Sequence, residues 1–407
     1  MTDPIIHAEY SRSPWSGRGN LKQLVDELQR QKENTFDFVS DCRNLAVEVR
    51  PGLNDEPIPF LMAAQTADPR LHEWLPRDGA PISKSAVADI CLRLKPLVPI
   101  KFARALIEDK PLVAADLLSQ LLLTGKSTNL VRMLDGKVRA FLSDRYQPLD
   151  NYTLAFNAME VAKSVSAEII EASIGEHHMR IKFTSRQLWG AVNDLKQGDR
   201  SSWYTGGLGN QDHLRRVGAR TRGDMPGGPG TIHPVVTIEN SETGKGGLHV
   251  RVGIMQAVCF NLATVESVVS NIHLGSRIEA GIFSQETIRL DAETVMSKAS
   301  DAIATAFNSD RFDALVAKVN GANAVAIKPV EAVNFAVQEN VITETQKDAL
   351  LAHFMGESAG GMVGDTAYGF AQAISRLAQD TEDGDDAFAL EEFAGKIINK
   401  PSLVAAK

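Results

Sequence analysis

The residues of greatest chemical interest in this sequence are cations set at alternate positions. Met179, Ile181 and Phe183 interleave with Arg180 and Lys182, and Leu248, Val250 and Val252 interleave with His249 and Arg251. Side chains two apart on a strand share a face, so both runs are expected to turn apolar groups inward and cations outward. A Gly-rich stretch over 198–231 adds Arg215, Arg216, Arg220 and Arg222, with Trp203 and Tyr204 nearby. Guanidinium groups neutralise phosphates, aromatic rings stack on bases, and glycines let the backbone come close. Arg180, Lys182, Arg215, Arg216, Arg220, Arg222, His249, Arg251, Trp203 and Tyr204 are therefore expected to form a nucleic-acid-binding face that works without a covalent step.

Other motifs carry less. Gly125-Lys126-Ser127-Thr128 has the second half of a phosphate-binding loop, but Gln120 stands where the earlier glycine is required, and the segment ends a helix. Gly125 then reads as a helix cap. Gly356-Glu357-Ser358-Ala359-Gly360 has the spacing of a nucleophile elbow, which needs a preceding strand and a later histidine; a helix precedes it and no histidine follows His353. His177 and His178 are adjacent and would point to opposite faces of a strand, which leaves His178, His233 and His249 on neighbouring strands as the one arrangement for a metal. No catalytic residue, metal or cofactor is expected, and the reading leans away from an enzyme.

These residues need a sheet to hold them. Alternating or β-rich runs lie at 138–143, 177–184, 234–239 and 248–259, with a short one at 45–49. Helical spacing marks 20–35, 83–94, 111–123 and the segment from about 150 to 165, while the chain beyond about 290 is helical almost throughout. The expected fold is α+β: a central antiparallel sheet with helices packed on one face, plus a C-terminal helical unit. The expected division is an N-terminal extension over 1–82, a central domain over 83–289 containing the loop at 198–231, and a helical unit over 290–407 with an acidic tail.

The chain has 407 residues, 43% of them hydrophobic and 23% charged, which excludes a disordered or fibrous protein and leaves ample material for a core. All of the net charge of −8 lies in residues 301–407, concentrated at Asp380, Glu382, Asp383, Asp385, Asp386, Glu391 and Glu392. That tail is expected to compete with a polyanion for the basic face, or to contact a protein partner through its helices. Cys42, Cys91 and Cys259 are too few and too far apart for a disulfide framework. With no signal peptide or membrane span visible, a cytoplasmic protein is expected.

Three stretches then resemble the phage/plasmid-like proteins, a domain-of-unknown-function family of phages, prophages and conjugative plasmids. The first is Arg139-Ala-Phe-Leu-Ser-Asp-Arg-Tyr-Gln-Pro-Leu-Asp-Asn151. The second is Val236-Thr-Ile-Glu-Asn-Ser-Glu-Thr-Gly-Lys-Gly-Gly-Leu-His-Val250, followed by Cys259-Phe-Asn261 and Ile272-His-Leu-Gly275. The third is Thr366-Ala-Tyr-Gly-Phe-Ala-Gln-Ala-Ile-Ser-Arg-Leu-Ala378 with Leu390-Glu-Glu-Phe-Ala-Gly395. The resemblance implies a mobile-element protein in a bacterial host cell and supplies no catalytic residues. The expected function is a non-enzymatic nucleic-acid-binding accessory protein, of a kind suited to single-strand binding or annealing. The alternative is a protein-interaction or assembly module that binds no nucleic acid.

Overall fold

The computed structural model describes residues 17–19, 21–52, 55–65, 67–94, 96–146, 149–185, 187–192, 231–256, 262–272, 285–355, 364–381 and 383–406. The chain opens with strand β1 (Gly17–Gly19) and helix α1 (Leu21–Asn34), then β2 (Thr35–Asp41), β3 (Leu45–Pro51) and β4 (Pro57–Ala63). A short helix α2 (Leu71–Trp74) and strand β5 (Ala80–Pro81) lead to α3 (Lys84–Arg93), α4 (Ile100–Asp109) and α5 (Pro111–Thr124). The hairpin of β6 (Thr128–Leu134) and β7 (Lys137–Ser143) follows, turning on Asp135 and Gly136 at φ 53° and 73°, the left-handed pair that suits a two-residue hairpin.

Sheets β2-β6-β7 and β3-β4-β5 enclose a first core with α3 to α5, built from Phe38, Leu45, Leu61, Ile90, Leu118, Val131 and Phe141. The boundary expected after residue 82 falls inside it: Ile82 bridges Val138, and the Ser83 N–H donates to the Val138 carbonyl. Strand β4 lies in a segment expected to be loop because of its prolines. The Ser119 hydroxyl accepts from the Val47 N–H and donates to the Val47 carbonyl, so the backbone polar groups of Val47 point away from β4. By the two-residue period those of Val49 and Pro51 do too, and their partners Pro59 and Pro57 owe no N–H to that ladder.

The second half comprises α6 (Asn151–Ser164), β8 (Ala167–Ile174), β9 (Met179–Ser185), β10 (Gly190–Ala191), β11 (Thr231–Asn240), β12 (Leu248–Gln256) and β13 (Leu262–Ile272). Helices α7 (Gln285–Ala306), α8 (Ser309–Asn323), α9 (Pro329–Gln338), α10 (Lys347–Met355), α11 (Ala367–Asp380) and α12 (Gly384–Asn399) complete it. The strands form an antiparallel sheet in the order β1-β8-β9-β11-β12-β13, with β10 also paired to β11. The α+β class, the antiparallel sheet and the C-terminal helical cluster are all present.

Ile181, Phe183, Val236, Ile238, Val250 and Val252 occupy one face of this sheet at alternate positions and pack with residues of α1, α6 and α7. Helices cover the second face as well as the expected one, because α12 lies across it with α11 at its side. The C-terminal helices, expected as a separate unit, share the sheet's core: Val295, Phe312, Tyr368, Phe370 and Phe393 belong to the same cluster as Ile181 and Val250. Gly395 permits this approach, since a Cβ there would collide with the Thr264 carbonyl of β13.

Candidate functional site

Strand register assembles the expected cations into rows. Arg180 and His249 flank Glu239, and Lys182 and Arg251 flank Thr237. On β8, Glu171 stands beside Lys182 and Ser173 beside Arg180. The alternation inferred from sequence is thus correct, and Arg180, Lys182, His249 and Arg251 do share a face.

That face is not open to solvent, which corrects the expectation of an outward cationic surface. Arg180 is 5% exposed and Lys182 3%. The reason is α12, whose Asp385, Phe388, Glu391 and Glu392 fall at helical spacing on the side turned to the sheet. Lys182 Nζ lies 2.9 Å from Glu171 Oε1 and 2.7 Å from Glu391 Oε1. Arg180 donates to Glu239 at 2.8 Å and to Asp385 at 2.5 Å. Arg251 pairs with Glu239 and, through Nε, with Glu392 at 3.1 Å. The Phe388 ring lies under both guanidinium groups, 4.4 Å from that of Arg180 and 5.1 Å from that of Arg251.

The electrostatics follow from this crowding. Burial alone would raise the Glu239 carboxyl, but Arg180, Arg251 and His178 outweigh it and hold it below the usual range. Asp385 is likewise partly desolvated, yet its hydrogen bonds to His178 and Arg180 and their charges hold its carboxyl well down. Glu392 moves the other way: burial raises it, with Glu239 adding repulsion and Arg251 offsetting part of the effect. Such a layer fastens a helix to a sheet. It leaves Arg180 and Lys182 buried away from any phosphate in solvent.

The network opens to solvent at one end. A cleft of about 320 Å³ lies between β12, β13 and the end of α12, lined by Arg251, Thr264, Val265, Glu392, Lys396, Asn399 and Lys400. Its cations are largely engaged: Arg251 as above, and Lys396 with Glu339 at 2.6 Å. Trp203, Tyr204, Arg215, Arg216, Arg220 and Arg222 lie outside the described residues, so the structure places only four of the ten expected residues.

His178, His233 and His249 do not converge on one point. His233 Nδ1 lies 3.1 Å from the Ser185 carbonyl and 3.0 Å from that of Leu188. His249 is paired across the ladder with Glu239, six residues along β11 from His233, a strand distance of ~20 Å. His178 lies between Asp385, at 3.3 Å, and Glu239, at 3.8 Å. Among the described residues no group of three or more His, Cys, Asp or Glu is placed to hold a metal ion. Gly125 caps α5 ahead of β6, a helix-to-strand order opposite to that of a phosphate loop. Ser358 lies outside the described residues. No described helix is long and apolar enough to cross a membrane.

A second polar junction joins the two cores, and sequence reasoning did not find it. The β11–β12 turn docks on the first half of the chain. Buried Glu242 accepts from the Asn151 N–H at 2.7 Å and from Arg139 at 3.4 Å, and Arg132 donates to its carbonyl at 2.6 Å. The Tyr146 hydroxyl donates to the Ser241 carbonyl at 2.9 Å, and Lys245 pairs with Asp89. The stretches 139–151 and 236–250, singled out separately in the sequence, meet here. Only their polar character amid apolar strands signalled it.

Exposed apolar side chains collect elsewhere. Of the large apolar residues left exposed among the described residues, Leu92, Leu97, Phe102, Leu112, Val113 and Leu123 all fall in or beside α3, α4 and α5. Helix α5 is apolar nearly all round, and only its Ala114-Leu118-Leu122 side is buried. A helix of that character is normally covered on more than one side.

No protein-family model matches this sequence, and no curated protein or solved structure is similar to it.

Proposed function

We propose that this protein works as a protein-interaction module, with the outer surface of α4 and α5 as its binding face. One observation carries the reading. Leu112 is 80% exposed and Leu97 67%, with Phe102 and Val113 more than half exposed, whereas Arg180 and Lys182, two of the cations expected to bind phosphate, are buried in ion pairs. Scattered apolar residues on a surface need no explanation, but a group of them on two adjoining helices is the usual mark of a protein contact. The mobile-element setting suggested by the sequence resemblance fits an assembly role and is part of the same proposal. The acidic helix α12 supports this role less, because its Asp385, Glu391 and Glu392 pair with cations of the sheet.

The test is site-specific photo-crosslinking in cells producing the full chain, with the reactive side chain at position 112 and a control at exposed Glu344. Protein adducts from position 112 alone are expected. Equal yields from both positions, or none from either, would refute the reading. Salt-dependent binding of oligonucleotides by the full chain would favour the nucleic-acid function instead.

A further inference from the structure

Resting on that reading, we infer that the partner is a second copy of this chain, joined by antiparallel packing of α4 against its counterpart about a two-fold axis through Ala105. The exposed residues of α4 are Lys101, Phe102, Arg104, Ala105, Glu108 and Asp109. At 100° per residue they form a single outward arc with Ala105 near its middle, Lys101 one turn before and Asp109 one turn after. A two-fold axis at Ala105 therefore sets Lys101 of each copy against Asp109 of the other. The small side chain at the crossing lets the two helices come close.

The apolar residues obey the same symmetry. Exposed Leu97 precedes α4, while exposed Leu112 and Val113 follow its C-terminal end. An antiparallel copy brings the Leu97 end of one protomer to the Leu112 end of the other. Along this surface Leu97 is followed by the cations Lys101 and Arg104 with Phe102 between them, then Ala105, the anions Glu108 and Asp109, and Leu112, so the charges are complementary to their own reverse, as an isologous interface requires. Lys101, Glu108 and Asp109 are in no ion pair among the described residues. Some other surface charges are paired locally, as in Arg43 with Asp41 and Arg70 with Asp68.

Sedimentation equilibrium on the full chain tests this, with the wild type beside Lys101→Asp, Asp109→Lys and the double variant K101D/D109K. The wild type is expected to be a monomer–dimer equilibrium. Each single reversal turns two cross-axis attractions into repulsions and is expected to raise the dimer Kd about tenfold or more. The double variant restores opposite charges across the axis and should return the Kd to near the wild-type value. These positions are exposed, so unchanged thermal melts establish that the variants fold. A wild type that stays monomeric, single reversals without effect, or a double variant no better than the singles would overturn the inference. Crosslinked adducts at position 112 with a mass other than twice the chain would overturn it while leaving the interaction-module reading in place.

Discussion

The buried side of α12 and the outer side of α4 are both short helical surfaces rich in charge beside apolar residues, and they have opposite fates. On α12 the acids sit 2.5 to 3.1 Å from cations of the sheet, and Phe388, Phe393 and Ile397 are buried. On α4, Lys101 and Asp109 face solvent next to Phe102. The difference teaches that a charged pattern says little about exposure until its partner is known. The sheet presents cations spaced to meet the acids of α12, whereas the outer side of α4 stays exposed among the described residues.

Deleting residues 384–407 should break that comparison most severely. The truncation removes Phe388, Phe393, Ile397 and Ile398 from the core and strands Arg180 and Lys182. Loss of the cooperative unfolding transition is expected, measured by urea denaturation followed by far-UV circular dichroism. A truncated chain as stable as the full one would show that α12 is dispensable. The tail expected to compete with a polyanion for the basic face is part of the core through Phe393, Ile397 and Ile398.

Lys182→Ala comes next. It leaves Glu171 and Glu391 buried against each other without their cation, and a broken buried pair costs about 3–5 kcal/mol. Replacing all three residues by Met should recover most of the loss, because no buried charge then remains. Urea midpoints of the two variants give the answer, and equal losses in both would mean that packing rather than charge decides.

Acid should loosen the same interface. Glu239 and Asp385 have folded-state values held below their usual 4.5 and 3.8, so each contributes stability that is present above that value and lost as pH falls through the lower folded value. Glu392, raised by burial, has the opposite sign: its ionisation costs stability as pH climbs past 4.5. The net expectation is a urea midpoint that drops as pH falls below about 4 and a Glu239→Gln variant with a flatter profile. A variant as acid-sensitive as the wild type would remove Glu239 from the account.

The smallest effect belongs to the other surface. Leu112→Ser at a position 80% exposed should change stability by no more than ~0.5 kcal/mol while weakening association. A large loss of stability on sedimentation-verified monomers would show that Leu112 serves the fold.

Much of the fold was legible in the chain. Alternation at 179–185 and 248–256 set both the strands and the face of each side chain, because strand period is a local property. Asp150 and Thr366 mark the starts of α6 and α11, where each caps its helix by accepting a backbone N–H. Strand β4 was hidden by Pro57 and Pro59, whose tolerance depends on which way β3 turns its edge. What covers the cations was not local either. Glu391 and Lys182 are 209 residues apart in the chain, and neither spacing nor composition says that one lies 2.7 Å from the other. Sequence alone determined the elements, their faces and the acidity of the last segment, since these depend on neighbours along the chain. Only the tertiary structure decided that the basic face is closed and that α4 is the open surface, because solvent exposure depends on what the rest of the molecule brings to each face.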